Sequence, residues 1–252
     1  MTMKKKIDVL GIGVNNYTME EALGQLGFFL TENRTHVVYT PNAEIIMKAQ
    51  RERELLDIIN EADMVVADGA GVVLGSRILG ESLPERIAGF DLVKNSFDLG
   101  SSKKIKYFFF GGKPGIAEEA SSKVLRDYPN VDIVGWRDGY FCTQDEENII
   151  NEINDSGADI LLVALGAPKQ EKWIHKHKNN IKAKVCIGVG GSFDILSGRL
   201  HRAPEFFRNN GLEWLYRLYK EPWRIKRMMD LPKFIFKLLA KRILREHFYF
   251  TK

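Results

Sequence analysis

The chain has 252 residues, 28% of them charged, a formal net charge of +4 and two cysteines. That length allows one large α/β domain, or a domain with an appendage, and a core that needs no staples. Cys142 and Cys186 lie far apart with no C-x-x-C or Cys/His cluster, which argues against a disulfide framework and a structural zinc site and for a reducing, cytosolic compartment.

The basic start "MTMKKK" leads into "IDVLGIGV" (7–14), whose short apolar run is broken by Asp8 and by glycines, so it reads as a first strand and not as a signal peptide. Further strand candidates are "THVVYT" (35–40), "DMVVAD" (63–68), "KIKYFFF" (104–110), "VDIVGW" (131–136), "ADILLVALG" (158–166) and "AKVCIGVG" (183–190). Several are apolar throughout, as strands covered on both faces must be. Thr18 with Glu21 and Thr143 with Glu146 fit capping boxes, and Pro114 fits the first turn of a helix. This alternation predicts an α/β fold with a Rossmann-like, mostly parallel sheet and helices on both faces over residues 1–198.

Past Leu196 the strand signal stops. "PEFFRNNGLEWLYRLYK", "EPWRIKRMMD" and "LPKFIFKLLAKRILREHF" read as three helices, with Pro222 and Pro232 near helix starts. Residues 199–252 hold 14 Lys and Arg against 5 Asp and Glu, whereas residues 1–198 hold 23 against 28. A helical, basic appendage follows an acidic body, and its mixture of large apolar side chains and cations suits an anionic membrane surface. The apolar faces would equally suit packing on the body or on another subunit. No run approaches the roughly 18 apolar residues that span a bilayer.

Ligands of open parallel sheets bind outside the carboxyl ends of the strands. The exits here carry Thr40 and Asn42; Asp68; Gly111, Gly112 and Lys113; Gly166, Lys169 and Gln170; and Gly190, Ser192 and Asp194. The "GGKPG" exit can present backbone N–H groups and a cation to a phosphate, or form only a tight turn. Asp194 suits a ribose or a base, unless its loop is merely a turn followed by a helix cap. Asp68 can act as a general base or cap the helix that starts near Ala70. A metal site is disfavoured: there is no D-x-D pair, and the only neighbouring histidines, His175 and His177, point apart on a helix.

In their order and spacing, "TPNAEI", "VVADGAGVV", "RIAGFDLV", "FFFGGKPGIAEEA", "GYF", "VALGAPKQEKWI", "GVGGSFDILSG", "RAPEFFRNNGLEWLYRL" and "EPWRIKR" resemble the WecG/TagA/CpsF family of bacterial glycosyltransferases. The resemblance implies transfer of N-acetylmannosamine from UDP-N-acetylmannosamine to the 4-hydroxyl of undecaprenyl-diphosphate-N-acetylglucosamine, with inversion and without a metal or other cofactor. It implies a peripheral enzyme on the cytoplasmic face of the membrane. It further implies that Asp68 is the catalytic base, that Thr40 and Asn42 lie beside the donor sugar, with Thr40 a second catalytic residue, and that Gln170 falls in the pocket. Arg86 is the candidate to meet charge on the departing diphosphate, and the tail arginines Arg217, Arg224 and Arg227 would close over it, on one side if their helical path is continuous. A uronic-acid donor, a nucleic-acid partner for the basic tail, a nucleotide-dependent oxidoreductase and self-association off the membrane are the competing expectations. The oxidoreductase lacks its G-x-G-x-x-G loop.

Overall fold

The computed structural model describes residues 5–99, 104–222 and 225–250, and of residues 226, 227 and 245–250 the backbone only. The first apolar run is a hairpin, not one strand: β1 (Lys6–Val9) pairs antiparallel with β2 (Ile12–Asn15). Leu10 (φ 52°) and Gly11 (φ 83°) make the turn, and positive φ at both central residues gives the twist that a tight hairpin needs.

The other six candidates form one parallel sheet: β3 (His36–Tyr39), β4 (Met64–Val65), β5 (Lys106–Gly111), β6 (Asp132–Arg137), β7 (Ile160–Ala164) and β8 (Val185–Gly188), in the order β4-β3-β8-β7-β5-β6. Alternation along β7 shows why it is apolar throughout. Leu161 and Val163 enter the core on one face, and Ile160, Leu162 and Ala164 the core on the other.

Helices α1 (Met19–Phe29), α2 (Ala43–Ala49), α3 (Arg53–Asn60), α4 (Ala70–Ile78), α5 (Gly89–Ser96), α6 (Ile116–Asp127), α7 (Glu146–Asp155), α8 (Lys169–His177) and α9 (Ser192–Leu196) cover both faces. Apolar residues of α2, α3, α4, α7 and α8 fill one core, and those of α1, α5, α6 and α9 fill the other. This is the expected Rossmann-like α/β architecture. The chain leaves β4 at one edge and resumes at β5 across β3, β8 and β7, so loops diverge over the carboxyl ends of the central strands.

The box of Thr18 and Glu21 opens α1 as expected. The second box lies one residue earlier than expected: Asp145 Oδ2 accepts from the Cys142 N–H at 2.9 Å, a 3₁₀ turn occupies Thr143–Asp145, and α7 starts after it. Pro114 is not in a first turn either. It precedes Gly115, whose left-handed φ of 83° leads into α6.

Among the described residues the tail forms four helices, not three: α10 (Glu205–Asn209), α11 (Glu213–Lys220), α12 (Ile225–Met228) and α13 (Asp230–Phe250). Gly211, at φ 70°, breaks the first candidate in two; its Cα approaches α4 so closely that an added Cβ would stand 2.8 Å from Ala70 Cβ. α13 folds back onto α2 and α4, where Phe234 and Leu238 are wholly buried. A Cβ on Gly75 would stand 2.8 Å from Leu238 Cδ1 and 3.2 Å from the Phe234 ring, so glycine there lets the helices meet. Arg51 clasps Asp230 with two hydrogen bonds of 3.0 and 2.9 Å, and Lys241 reaches Asp8 at 2.8 Å.

Candidate functional site

The exits of β3 and β4 place Thr40, Asn42 and Asp68 together. Asp68 does not cap α4, which starts after Gly69 (φ 96°) without a side-chain cap. Its Oδ2 instead accepts from the N–H of Gly89 at the start of α5, at 3.3 Å, and its Oδ1 lies 3.9 Å from Arg86 Nε. Burial pushes the Asp68 carboxyl above the ordinary carboxylate range, against the pull of Arg86, Arg217 and the Gly89 N–H, while Glu213 pushes it the same way as burial. Thr40 packs on Gly89 so tightly that a Cβ there would stand 2.6 Å from Thr40 Oγ1. Asn42 Oδ1 is used locally, capping α2 through the Ile45 N–H at 3.0 Å.

Beside this group lies a cavity of about 820 Å³ over the ends of β5, β7 and β8. Gly112, Lys113, Phe141, Lys169, Gly190 and Asp194 help to line it. Gly111 is required by contact: at φ 127°, a Cβ would stand 2.4 Å from the Ala164 carbonyl oxygen. The Gly112 N–H donates to that same oxygen at 2.9 Å, so this amide is not open to a phosphate. Lys113 remains as the cation of that exit, and it opposes the burial that pushes the Asp194 carboxyl up.

Gln170 joins the two regions from below. It is buried, its Oε1 accepts from the Gly190 N–H at 3.0 Å, and its Nε2 donates to Glu171 Oε1 at 2.9 Å. It therefore fixes the shape of the loop after β8. Gly188 is needed here too, since a Cβ would stand 2.9 Å from Gln170 Nε2.

The tail reaches the same crevice. Arg217 on α11 meets Arg86 through a shared carboxylate, Glu213. The helical path that would put the tail arginines on one side, which Pro222 already broke in the sequence, is interrupted: α11 ends at Lys220 and α12 starts at Ile225. Arg224 and the side chain of Arg227 lie outside the described residues. Sequence reasoning passed over Glu213, Arg202 and Asp91. Only the Glu213–Arg217 spacing of four on a helix signalled one of these pairs. Among the described residues no group of three or more His, Cys, Asp and Glu could hold a metal ion, and no helix is long and apolar enough to cross a membrane.

A family model described as "Glycosyl transferase WecG/TagA/CpsF family" matches residues 7–247. A protein of Bacillus subtilis (strain 168) named N-acetylglucosaminyldiphosphoundecaprenol N-acetyl-beta-D-mannosaminyltransferase is 38% identical over 213 residues, which cover 84% of this chain and 82% of the relative. A protein of the same name from Staphylococcus aureus (strain MRSA252) is 34% identical over 244 residues, or 96% of this chain and 95% of the relative.

Proposed function

From the premise that this chain belongs to the WecG/TagA/CpsF glycosyltransferase family, we propose that it transfers N-acetylmannosamine from UDP-N-acetylmannosamine to undecaprenyl-diphosphate-N-acetylglucosamine. The names of its relatives supply the sugar and the acceptor. The observation that carries the reaction is the place of Asp68, a carboxylate at a strand exit with the Gly89 N–H on one oxygen and Arg86 Nε 3.9 Å from the other; its side chain is 33% exposed, and partial burial raises its affinity for a proton.

The acceptor 4-hydroxyl oxygen attacks the anomeric carbon as its proton passes to Asp68. The bond from that carbon to the diphosphate oxygen breaks, UDP leaves with the electron pair, and the configuration inverts. The nucleotide occupies the 820 Å³ cavity, with Asp194 toward the ribose or base and Gly111, Gly112 and Gly190 allowing its close approach. Thr40 and Asn42 flank the sugar, and Gln170 holds the loop beneath it. Charge developing on the diphosphate is met by Arg86 and Arg217, with Arg224 and Arg227 added from the tail, so that no metal is needed. Residues 1–198 form the catalytic body, and residues 199–252 the appendage that brings it to the anionic cytoplasmic face of the membrane, where the lipid acceptor resides.

The test is UDP release from UDP-N-acetylmannosamine with a lipid-diphosphate-linked N-acetylglucosamine in chelator-treated buffer, wild type against Asp68→Ala. Acceptor-dependent release that disappears in the variant is expected. An inactive wild type, or a fully active variant, would overturn the reading.

A further inference from the structure

Glu213 is a carboxylate for which the proposed reaction has no step. It sits in the first turn of α11 and is 7% exposed. Burial alone would raise its pKa, but Arg217 and Arg86 hold it below the usual carboxylate range. Its two oxygens are divided between two cations: Oε2 lies 2.5 Å from Arg86 Nη2, and Oε1 lies 2.5 Å from Arg217 Nη2.

One carboxylate thus holds together two guanidiniums that would otherwise repel each other in a partly dehydrated site. Each cation gives it a single nitrogen. Arg86 Nε stays buried with no hydrogen-bond partner, 3.9 Å from Asp68, and Arg217 keeps nearly half of its side chain exposed. Each guanidinium therefore keeps nitrogens that Glu213 does not use. A second link runs alongside, where Arg202 clasps Asp91 with hydrogen bonds of 2.5 and 2.6 Å and lies over the Phe90 ring at 4.8 Å. Both links grip residues 86–91, the stretch whose Gly89 N–H reaches Asp68.

We propose that Glu213 is a positioning residue that docks α11 on Arg86 and presents Arg86 and Arg217 as one paired site for the diphosphate of the nucleotide, beside the base. This deepens the transferase reading and rests on it. The carboxylate orients the guanidiniums from behind, as a carboxylate behind a metal-bound histidine orients the ring.

Glu213→Gln in the full chain tests it. The expected loss in kcat is about 100-fold, the scale on which a misplacement of roughly 1 Å acts. UDP affinity, read by calorimetry, is expected to weaken by about tenfold. The acid limb of the pH–rate profile should move to lower pH. With one negative charge gone, Arg86, Arg217, Arg202 and the Gly89 N–H act on Asp68 less opposed. That limb reports the lost charge itself, whereas a role confined to holding the tail in place would show as a lower melting temperature in step with the loss of UDP affinity. Should the glutamine variant not fold, Glu213→Asp, which keeps the charge and shortens the arm, is expected to weaken UDP binding while leaving the acid limb in place. Wild-type UDP affinity in the aspartate variant would then overturn the proposal. So would wild-type kcat, UDP affinity and acid limb in Glu213→Gln, or a kcat above wild type, which would make Glu213 a block on the cations. If the wild type transfers no sugar yet Glu213→Gln still weakens UDP binding, the transferase reading falls and the clamp stands.

Discussion

Arg86 Nε stands 3.9 Å from Asp68 Oδ1, close enough to attract the carboxylate and too far to hydrogen-bond it. A bidentate pair would hold Asp68 ionised and leave it a poor base. At this distance burial prevails, and the carboxyl stays above its ordinary range.

That balance fixes the sign of two effects of Asp68→Asn. A carboxyl whose folded pKa lies above its unfolded one binds a proton more tightly in the folded state, so its ionised form costs stability at pH values above both. The variant should therefore melt at the same temperature as the wild type at neutral pH, or higher, while transfer falls by roughly 10²- to 10⁴-fold. Wild-type activity should be lost as pH falls through a midpoint above 3.8, the ordinary aspartate value. Calorimetric melting and a pH–rate profile check both, and a lower melting temperature with activity retained would contradict them.

Gln170 offers a contrasting test, since its amide is committed to Gly190 and Glu171 within the fold. Gln170→Met keeps the length and removes both partners. Glu171 Oε2 already lacks a hydrogen-bond partner, and burial already pushes this carboxyl up, so losing the Gln170 donor should push it further the same way. Stranding buried polar groups costs about 1–3 kcal/mol, a fall of several degrees in Tm for a chain of this size. UDP should bind more weakly as the loop after β8 loosens. An unchanged Tm would show that the loop keeps its shape without the amide.

The division between what the residues announced and what they hid follows the range of the interactions. Strands such as β7 were legible because a sheet covered on both faces demands unbroken apolar runs, and α1 because Thr18 and Glu21 are three residues apart. The hairpin was hidden because Leu10, not an asparagine or a glycine, takes the left-handed turn position before Gly11. Asp68 was visible as a polar exit, but whether it capped α4 or met α5 depended on Gly89, 21 residues on. The clamp was invisible because Arg86 and Glu213 lie 127 positions apart.

Two glycines should respond to alanine in opposite directions. At Gly111 a Cβ would meet the backbone of Ala164 at 2.4 Å, in a region of φ that L residues rarely adopt, so Gly111→Ala should unfold the ends of β5 and β7 or abolish expression. Gly27 lies within α1 with nothing within 4 Å of its added Cβ. Gly27→Ala should stabilise by about 0.5–1 kcal/mol through helix propensity. Denaturant titration of the pair checks both the strain and the propensity argument.

The two faces of α13 should separate folding from membrane attachment. Phe234 and Leu238 are wholly buried against α2 and α4, whereas Phe236 is 73% and Ile243 60% exposed, with Leu239 between them on the outer side. Phe234→Ala should therefore lower stability by about 3–5 kcal/mol, the usual cost of emptying a buried phenyl site. Replacing Phe236, Leu239 and Ile243 together with serine removes no core contact and should leave Tm within a degree or two of wild type. If the appendage lies on an anionic surface, this triple variant should lose most of its binding to vesicles that contain anionic phospholipid, because the apolar side chains supply the insertion. The neighbouring exposed Lys233 and Lys237 would add about 1 kcal/mol each, which salt should screen. Vesicle sedimentation at low and high salt distinguishes the two contributions. Undiminished sedimentation of the triple variant at both salt concentrations would remove α13 from the membrane contact and leave that role to the exposed Trp214, Leu215 and Tyr219 of α11.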